Sequence, residues 1–390
     1  MESRPEAVVV ARTSALALIA LVAPALADPK DDDIIGTDPG ARIEDVQLRT
    51  SYLQQWGRGY QAQGEPRGQP GSEAMWILEP FAMFTIRQSA DVVHELTIPV
   101  DIITAASPDA VDATTQASLR NQAIDADLRT AIRRSDVDTL TTRIALHYEE
   151  PMTSGTVGAG WRRSLADDNA TISVSGNVGI DGFDHRDVHG RAHGKVSREA
   201  FNANIAFSQL LSPTTVFDAG YGVTLEYGVL AEGWNAVSVI DGPLATEVLP
   251  RSRLRHALTV RLAQHIPITH STVKAWYRAY TDDFGIHAHS VQLDAYQYVA
   301  PWLYVRGGYR FHHQTGATFF TTGLAMPYTY DVLRNSDSDL APLSSREWSV
   351  QLSTVRKALG SWSVSAEFLR YVRTNDLAIT AVSLSLGKAL

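Results

Sequence analysis

The chain of 390 residues contains no cysteine. That absence removes disulfide stapling, thiolate metal sites, a cysteine nucleophile and a lipidated cysteine anchor together. Basic charge is also in short supply. With 34 Lys and Arg against 43 Asp and Glu, the net charge is -9, so the chain has no electrostatic reason to seek nucleic acid. Beyond residue 27 no apolar run reaches the ~18 residues that a membrane helix needs, which excludes a helical membrane protein. No glycine-rich phosphate loop, nucleotide fingerprint or c-type haem attachment sequence occurs, and no cofactor is implied.

What is present begins with a targeting pattern. Residues 14–23 form a short apolar stretch after Arg12, and Ala25-Leu26-Ala27 suits signal peptidase. The expected products are a cleaved signal peptide over 1–27 and a lead over 28–41 containing Asp31, Asp32 and Asp33. Glu2 and Glu6 are unusual in a segment that is ordinarily basic, and Arg4 and Arg12 balance them. Removing the peptide therefore leaves the net charge unchanged.

The remainder alternates. In Thr171 to Ile180 the even positions are branched aliphatic except Gly176, and the odd ones are small or polar. From Phe217 to Val229 the aromatic and aliphatic residues share one phase, with Asp218, Thr224, Glu226 and glycines in the other. Period two with one oily and one wet face is the signature of a strand. Such segments recur at 42–56, 74–88, 91–103, 125–134, 137–149, 153–164, 169–180, 198–211, 214–229, 253–266, 271–282, 286–299, 302–314, 344–356, 360–373 and 376–388, sixteen in all. The connections alternate short and long, with long ones at 57–73, 104–124, 181–197, 230–252 and 315–343. Trp56, Trp76, Tyr148, Trp161, Trp348 and Trp362 fall near segment ends, where amphipathic rings favour a lipid headgroup zone. These features predict an all-β fold, a single antiparallel transmembrane β-barrel of sixteen strands (bounds fourteen to eighteen) over 42–390, in the outer membrane of a Gram-negative-type bacterium. A soluble two-sheet sandwich would alternate too, but with fewer and shorter strands. The sequence after the last segment closes on Leu390, where many such barrels carry an aromatic residue.

Three stretches carry a resemblance: Val100-Asp-Ile-Ile-Thr-Ala-Ala-Ser-Pro-Asp109, Asp127-Leu128-Arg129, and Tyr277-Arg-Ala-Tyr-Thr-Asp-Asp-Phe-Gly-Ile-His-Ala-His289. Together with Asp168 to Asp181 they resemble the bacterial family catalogued as domain of unknown function 3570, over roughly residues 40 to 390. Two positions of the long motif differ, with Phe284 for Trp and Ala288 for Ser. The resemblance implies an outer-membrane barrel and no particular activity.

The wet face supplies the candidate chemistry. Arg253, Arg255, Arg261, Lys274, Arg278, Arg306 and Arg310 fall in the inward phase of 253–312 and form a basic wall. Inward carboxylates are expected at Glu79, Glu95, Asp101, Glu226, Asp294, Glu347 and Glu367. Two readings follow: a field across a water-filled lumen that favours anions near the basic side, or pairing between neighbouring strands that stiffens the interior. Asp282, Asp283, Gly285 and His289, at a strand corner within the family motif, read either as a cation or acid-base site or as a tight turn. His185, His189 and His193, four apart, would align on a helix and could bind zinc or copper, but Gly190 and Gly194 favour a solvated loop. A membrane-embedded hydrolase would need an outward serine beside the outward His256, and none is found.

The sequence thus predicts a non-enzymatic channel or transport pore with a charged lumen. The alternative is a closed barrel that anchors a periplasmic or surface partner through 104–124, 230–252 and 315–343. The expected partners are outer-membrane lipid and the barrel assembly machinery.

Overall fold

The computed structural model describes residues 41–56, 75–105, 121–149, 152–186, 192–231, 236–242 and 244–390. The expected signal peptide, nearly all of the acidic lead, His189 and most of the loops at 57–73 and 104–124 lie outside those residues.

Sixteen antiparallel strands close into one barrel. The first nine are β1 (Arg42–Trp56), β2 (Met75–Arg87), β3 (Val92–Ala105), β4 (Asn121–Arg133), β5 (Asp138–Glu149), β6 (Met152–Leu165), β7 (Ala170–Arg186), β8 (Ala192–Ser212) and β9 (Thr215–Gly228). A two-residue pair, β10 (Ala236–Val237) and β11 (Ala245–Thr246), interrupts the series. The barrel resumes with β12 (Ser252–Ile266), β13 (Ser271–Asp282), β14 (His287–Ala300), β15 (Leu303–Gln314), β16 (Leu343–Thr354), β17 (Trp362–Arg373) and β18 (Ala378–Ala389).

Closure comes from β1 meeting β18, in register from Asp45 opposite Ala389 to Trp56 opposite Ala378. No barrel strand is left with an unpaired edge, which matters because an open edge cannot be solvated in lipid. A strand of 12 residues such as β13, tilted ~45°, rises about 28 Å, enough for a bilayer core.

Alternation sorts the side chains. Outward positions carry Leu258, Val291, Leu293, Val350, Phe368 and Leu384, all large apolar groups left exposed by the protein itself. An apolar exterior of that extent on a closed barrel is what a lipid environment requires. The buried hydrophobic clusters lie at the loop end instead. Leu230, Phe284, Ile286, Ala317 and Leu340 pack into one. Val237, Val239 and Ala245 form a second, with Leu324 and Tyr328 against it.

One expectation is overturned in part. The span 181–197 was expected as a long loop, yet β7 and β8 pair from Ala170 opposite Gln209 to Arg186 opposite Ala192, so only 187–191 remains between them. The long loops after β9 and β15 are joined as well. Val239 bridges Leu324 and Val248 bridges Arg334, while Phe320 bridges Asn335 within the loop after β15. Together with the 283–286 turn they make a packed cap at the loop end of the β12–β17 wall.

Candidate functional site

The inward face of β12–β17 forms a grid whose rungs are fixed by register. Arg278 lies opposite Thr259 on β12 and opposite Ser290 on β14. Gln292 lies opposite both Trp276 and Arg310, and Arg310 is opposite Glu347. Lys274 is opposite Asp294.

Most of the predicted basic wall is paired locally. Arg253 meets Asp282 at 2.6 Å and Arg261 meets Asp218 at 2.7 Å. Arg255 pairs with Glu226, and Arg306 with Glu367. Each pair joins adjacent strands or strands one apart, so its charge is neutralised where it stands and does not contribute to a field across the lumen. Glu79 lies 3.7 Å from Arg49. Glu95 is opposite Arg129 and Thr85, and Asp101 is opposite Ala123.

Arg278, Arg310 and Lys274 differ. Among the described residues none has a carboxylate oxygen within ion-pair reach. The Nε atoms of Arg278 and Arg310 are buried without a protein hydrogen-bond acceptor. Aromatic faces accompany them instead: Tyr280 at 5.5 Å from Arg278, Trp276 at 5.7 Å from Arg310, and Tyr296 at 4.6 Å from Lys274. Guanidinium groups held against rings remain fully charged and able to receive an anion. Asp294 and Glu347 temper this patch without forming ion pairs to it.

The family-motif corner divides between the two faces. Asp282 points inward with a fully buried side chain. It accepts hydrogen bonds from Arg253 Nε at 2.9 Å, Tyr280 Oη at 2.8 Å and the Ile286 amide at 2.9 Å. Arg253 also lies 4.5 Å above the Phe284 ring, which meets Phe319 of the next loop edge to face. Gly285 adopts φ +88°, and a Cβ there would stand 2.5 Å from Thr318 Cγ2. Asp282 and Gly285 therefore serve to dock the cap. Asp283 is exposed beside them. His289 lies on the opposite, outward face, 2.7 Å from the Tyr277 hydroxyl, so the four corner residues do not converge on one cation.

The cap has its own polar lock. Arg373 of β17 pairs with Asp339, and Asp337 Oδ1 accepts the Asp339 amide at 2.8 Å. Burial, with the neighbouring Asp339 charge, raises the Asp337 carboxyl from its ordinary value to about 6. Buried Asn335 donates to Glu247 of the other loop.

His185 and His193 sit on paired β7 and β8, with rings 5.9 Å apart. The helical alignment that their spacing could have given does not form. No group of three or more metal-capable side chains is assembled among the described residues. Outward His256 is met by the Tyr221 hydroxyl at 2.7 Å, not by a serine.

Sequence reasoning missed Asp218 as a partner of Arg261. Its inward phase between Phe217 and Ala219 was the available signal, and the missing piece was which strand pairs with which.

Among solved structures the barrel is similar to several proteins at low sequence identity. A bacterial polysaccharide outer membrane secretin is 8% identical with TM-score 0.48, over 88% of this chain and 98% of that one. The outer membrane protein opdK from Pseudomonas aeruginosa is 9% identical with TM-score 0.45, over 91% and 100%. A BenF-like porin from Pseudomonas fluorescens Pf-5 is 9% identical with TM-score 0.46, over 91% and 100%. No curated protein matches the sequence significantly. The family model described as "Protein of unknown function (DUF3570)" matches residues 153–384, more than half of the chain, though not the stretches at 100–109 and 127–129. The chain belongs to the DUF3570 family.

Proposed function

We propose that the protein spans the outer membrane, exported by the signal peptide ending near Ala27, and acts as a passive channel that favours small anions. The observation that carries this reading is the pair Arg278 and Arg310, inward, beside aromatic rings and without an ion-paired carboxylate. Sixteen strands is the size at which single-chain barrels leave an aqueous interior. With Arg253, Arg255, Arg261 and Arg306 neutralised by neighbours, selectivity falls to the cations left unpaired. Anions drawn to a low-dielectric wall bearing unpaired guanidinium groups would be concentrated there relative to cations.

Planar-bilayer recording of the purified protein tests the reading. Discrete current steps are expected, and a preparation that is folded yet silent would sink it.

A second reading draws on the packed cap over the β12–β17 wall. There the barrel is an anchor whose cap contacts a surface or periplasmic partner, and the same silent result would favour it.

A further inference from the structure

The outward face of β12–β16 breaks its own apolar rule near the loop end. His256, His287, His289 and His313 occupy outward positions there, and Arg346 follows on β16. His289 and His313 are directly opposite one another. On the lipid-facing side of a barrel each polar group costs stability unless it lies at headgroup level.

The four imidazoles share one geometry. Each has its Nδ1 beside a hydroxyl of the adjacent strand: His256 with Tyr221 and His289 with Tyr277, both at 2.7 Å, His287 with Thr281 at 3.0 Å, and His313 with Ser344 at 2.9 Å. A ring tied at Nδ1 has its orientation fixed and its other nitrogen presented as the free group. Among the described residues no protein group meets any of these Nε2 atoms, and none meets the Arg346 guanidinium. His287, His289, His313 and Arg346 are exposed.

The charge pattern is one-sided. None of the outward positions of β12, β13, β14, β15, β16 or β17 carries an aspartate or glutamate, in a chain whose net charge is -9. Asp283, in the turn above, is the nearest exposed acid in the sequence. The row is continuous with the apolar belt below it, where the tilted rings of exposed Trp348 and Tyr309 lie with centroids 5.8 Å apart. Donors without acid partners, oriented outward at the edge of an oily belt, match a phosphate carried by a lipid. A free metal ion is a poorer fit, since no three-ligand cluster is assembled among the described residues.

We infer that this row is a docking surface for phosphorylated glycolipid of the outer leaflet, with the imidazole Nε2 atoms and Arg346 donating to phosphate oxygens while Tyr309 and Trp348 lie against the acyl chains. The inference rests on membrane insertion with the loops outward, not on conduction, so a silent channel leaves it standing.

The test uses the full chain, folded in neutral detergent micelles, with three probes: a diphosphorylated glucosamine-disaccharide lipid, the same lipid stripped of phosphate, and inorganic phosphate. Retention is read by native mass spectrometry and by thermal melting. Phosphorylated lipid is expected to bind at least about fivefold more tightly than the stripped lipid. Equal binding of the two lipids overturns the proposal. So does inorganic phosphate that competes at the lipid's own concentration, since it would make the lipid incidental. Replacing the four histidines by Gln should abolish the preference for phosphate, and retention of it contradicts the proposal. Arg346→Gln, an exposed change that leaves every strand pairing intact, should weaken retention of the phosphorylated glycolipid about threefold or more even where the fourfold variant fails to fold.

Discussion

Arg253 and Asp282 form an ion pair of 2.6 Å between β12 and β13, with the carboxylate fully removed from solvent. Asp282 also holds Tyr280 and the Ile286 amide, so one side chain ties the barrel wall to the turn on which Phe284 enters the cap. Removing it would strand a buried guanidinium. Asp282→Ala is expected to cost about 3–5 kcal/mol, read as a fall in the midpoint of chemical unfolding and faster protease cleavage within 315–342. An Arg253→Met, Asp282→Leu pair should recover part of that loss. A double variant as unstable as the single one would show that the pair is not the anchor.

Gly285 is expected to be intolerant for a local reason. Its φ of +88° disfavours any L side chain, and a Cβ would press on Thr318 Cγ2 at 2.5 Å. Gly285→Ala should destabilise the cap by about 1–3 kcal/mol, while leaving the electrophoretic mobility of the folded barrel unchanged. Gly307→Ala, where a Cβ would meet nothing within 4 Å, serves as the neutral comparison.

Order in the cap should depend on pH through Asp337. Its carboxyl is raised to about 6 by burial and by Asp339, so the folded cap holds the proton more tightly than the unfolded chain does. That contribution is complete below the ordinary carboxylate range, near pH 4, and is lost as pH rises through about 6. Hydrogen-exchange protection factors for 336–341, corrected for intrinsic exchange, should fall between about pH 4 and pH 6 and level off above that. Asp337→Asn should flatten the profile, and an unaltered profile in that variant would assign the effect elsewhere.

Much of this fold was legible in the sequence because a strand's period is local. All sixteen barrel strands lie where alternation placed them, within a few residues except at the ends of β4, β7 and β8. For β7 and β8 the excess has a reason: Gly182, Gly190 and Gly194 weaken the hydrophobic pattern, while backbone pairing of β7 with β8 continues regardless of side-chain polarity. The candidate site was less legible. Alternation put Arg261 and Arg278 on the same face, but only register reveals that Asp218 stands against the first and nothing acidic against the second. The motif corner failed to converge for a related reason, since the odd and even positions of Tyr277 to His289 face opposite media. The joined loops rest on bridges between residues far apart in the chain, Val239 with Leu324 and Val248 with Arg334, and the β10–β11 pair is only two residues long on each side, so neither leaves a periodic signal in a single sequence.

Neutralised and unpaired arginines should behave differently when removed. Arg261→Ala uncovers Asp218 and Arg306→Ala uncovers Glu367, so each exposes a negative charge and should shift selectivity toward cations while also costing about 1–3 kcal/mol of stability. Arg278→Ala uncovers no paired acid and should change selectivity with little loss of stability. Melting curves measured beside permeability ratios separate the two classes, and matched stability losses at all three positions would contradict the pairing described here.

In the channel reading, unpaired Arg278 and Arg310 set an anion preference in a water-filled lumen. Its most direct test is the reversal potential across a salt gradient, compared between the native channel and the Arg278→Ala, Arg310→Ala variant. Chloride is expected to be preferred over potassium in the native protein, with the ratio falling by about threefold or more in the variant at unchanged barrel stability. A native channel that prefers potassium, or a variant with the native ratio, would contradict it.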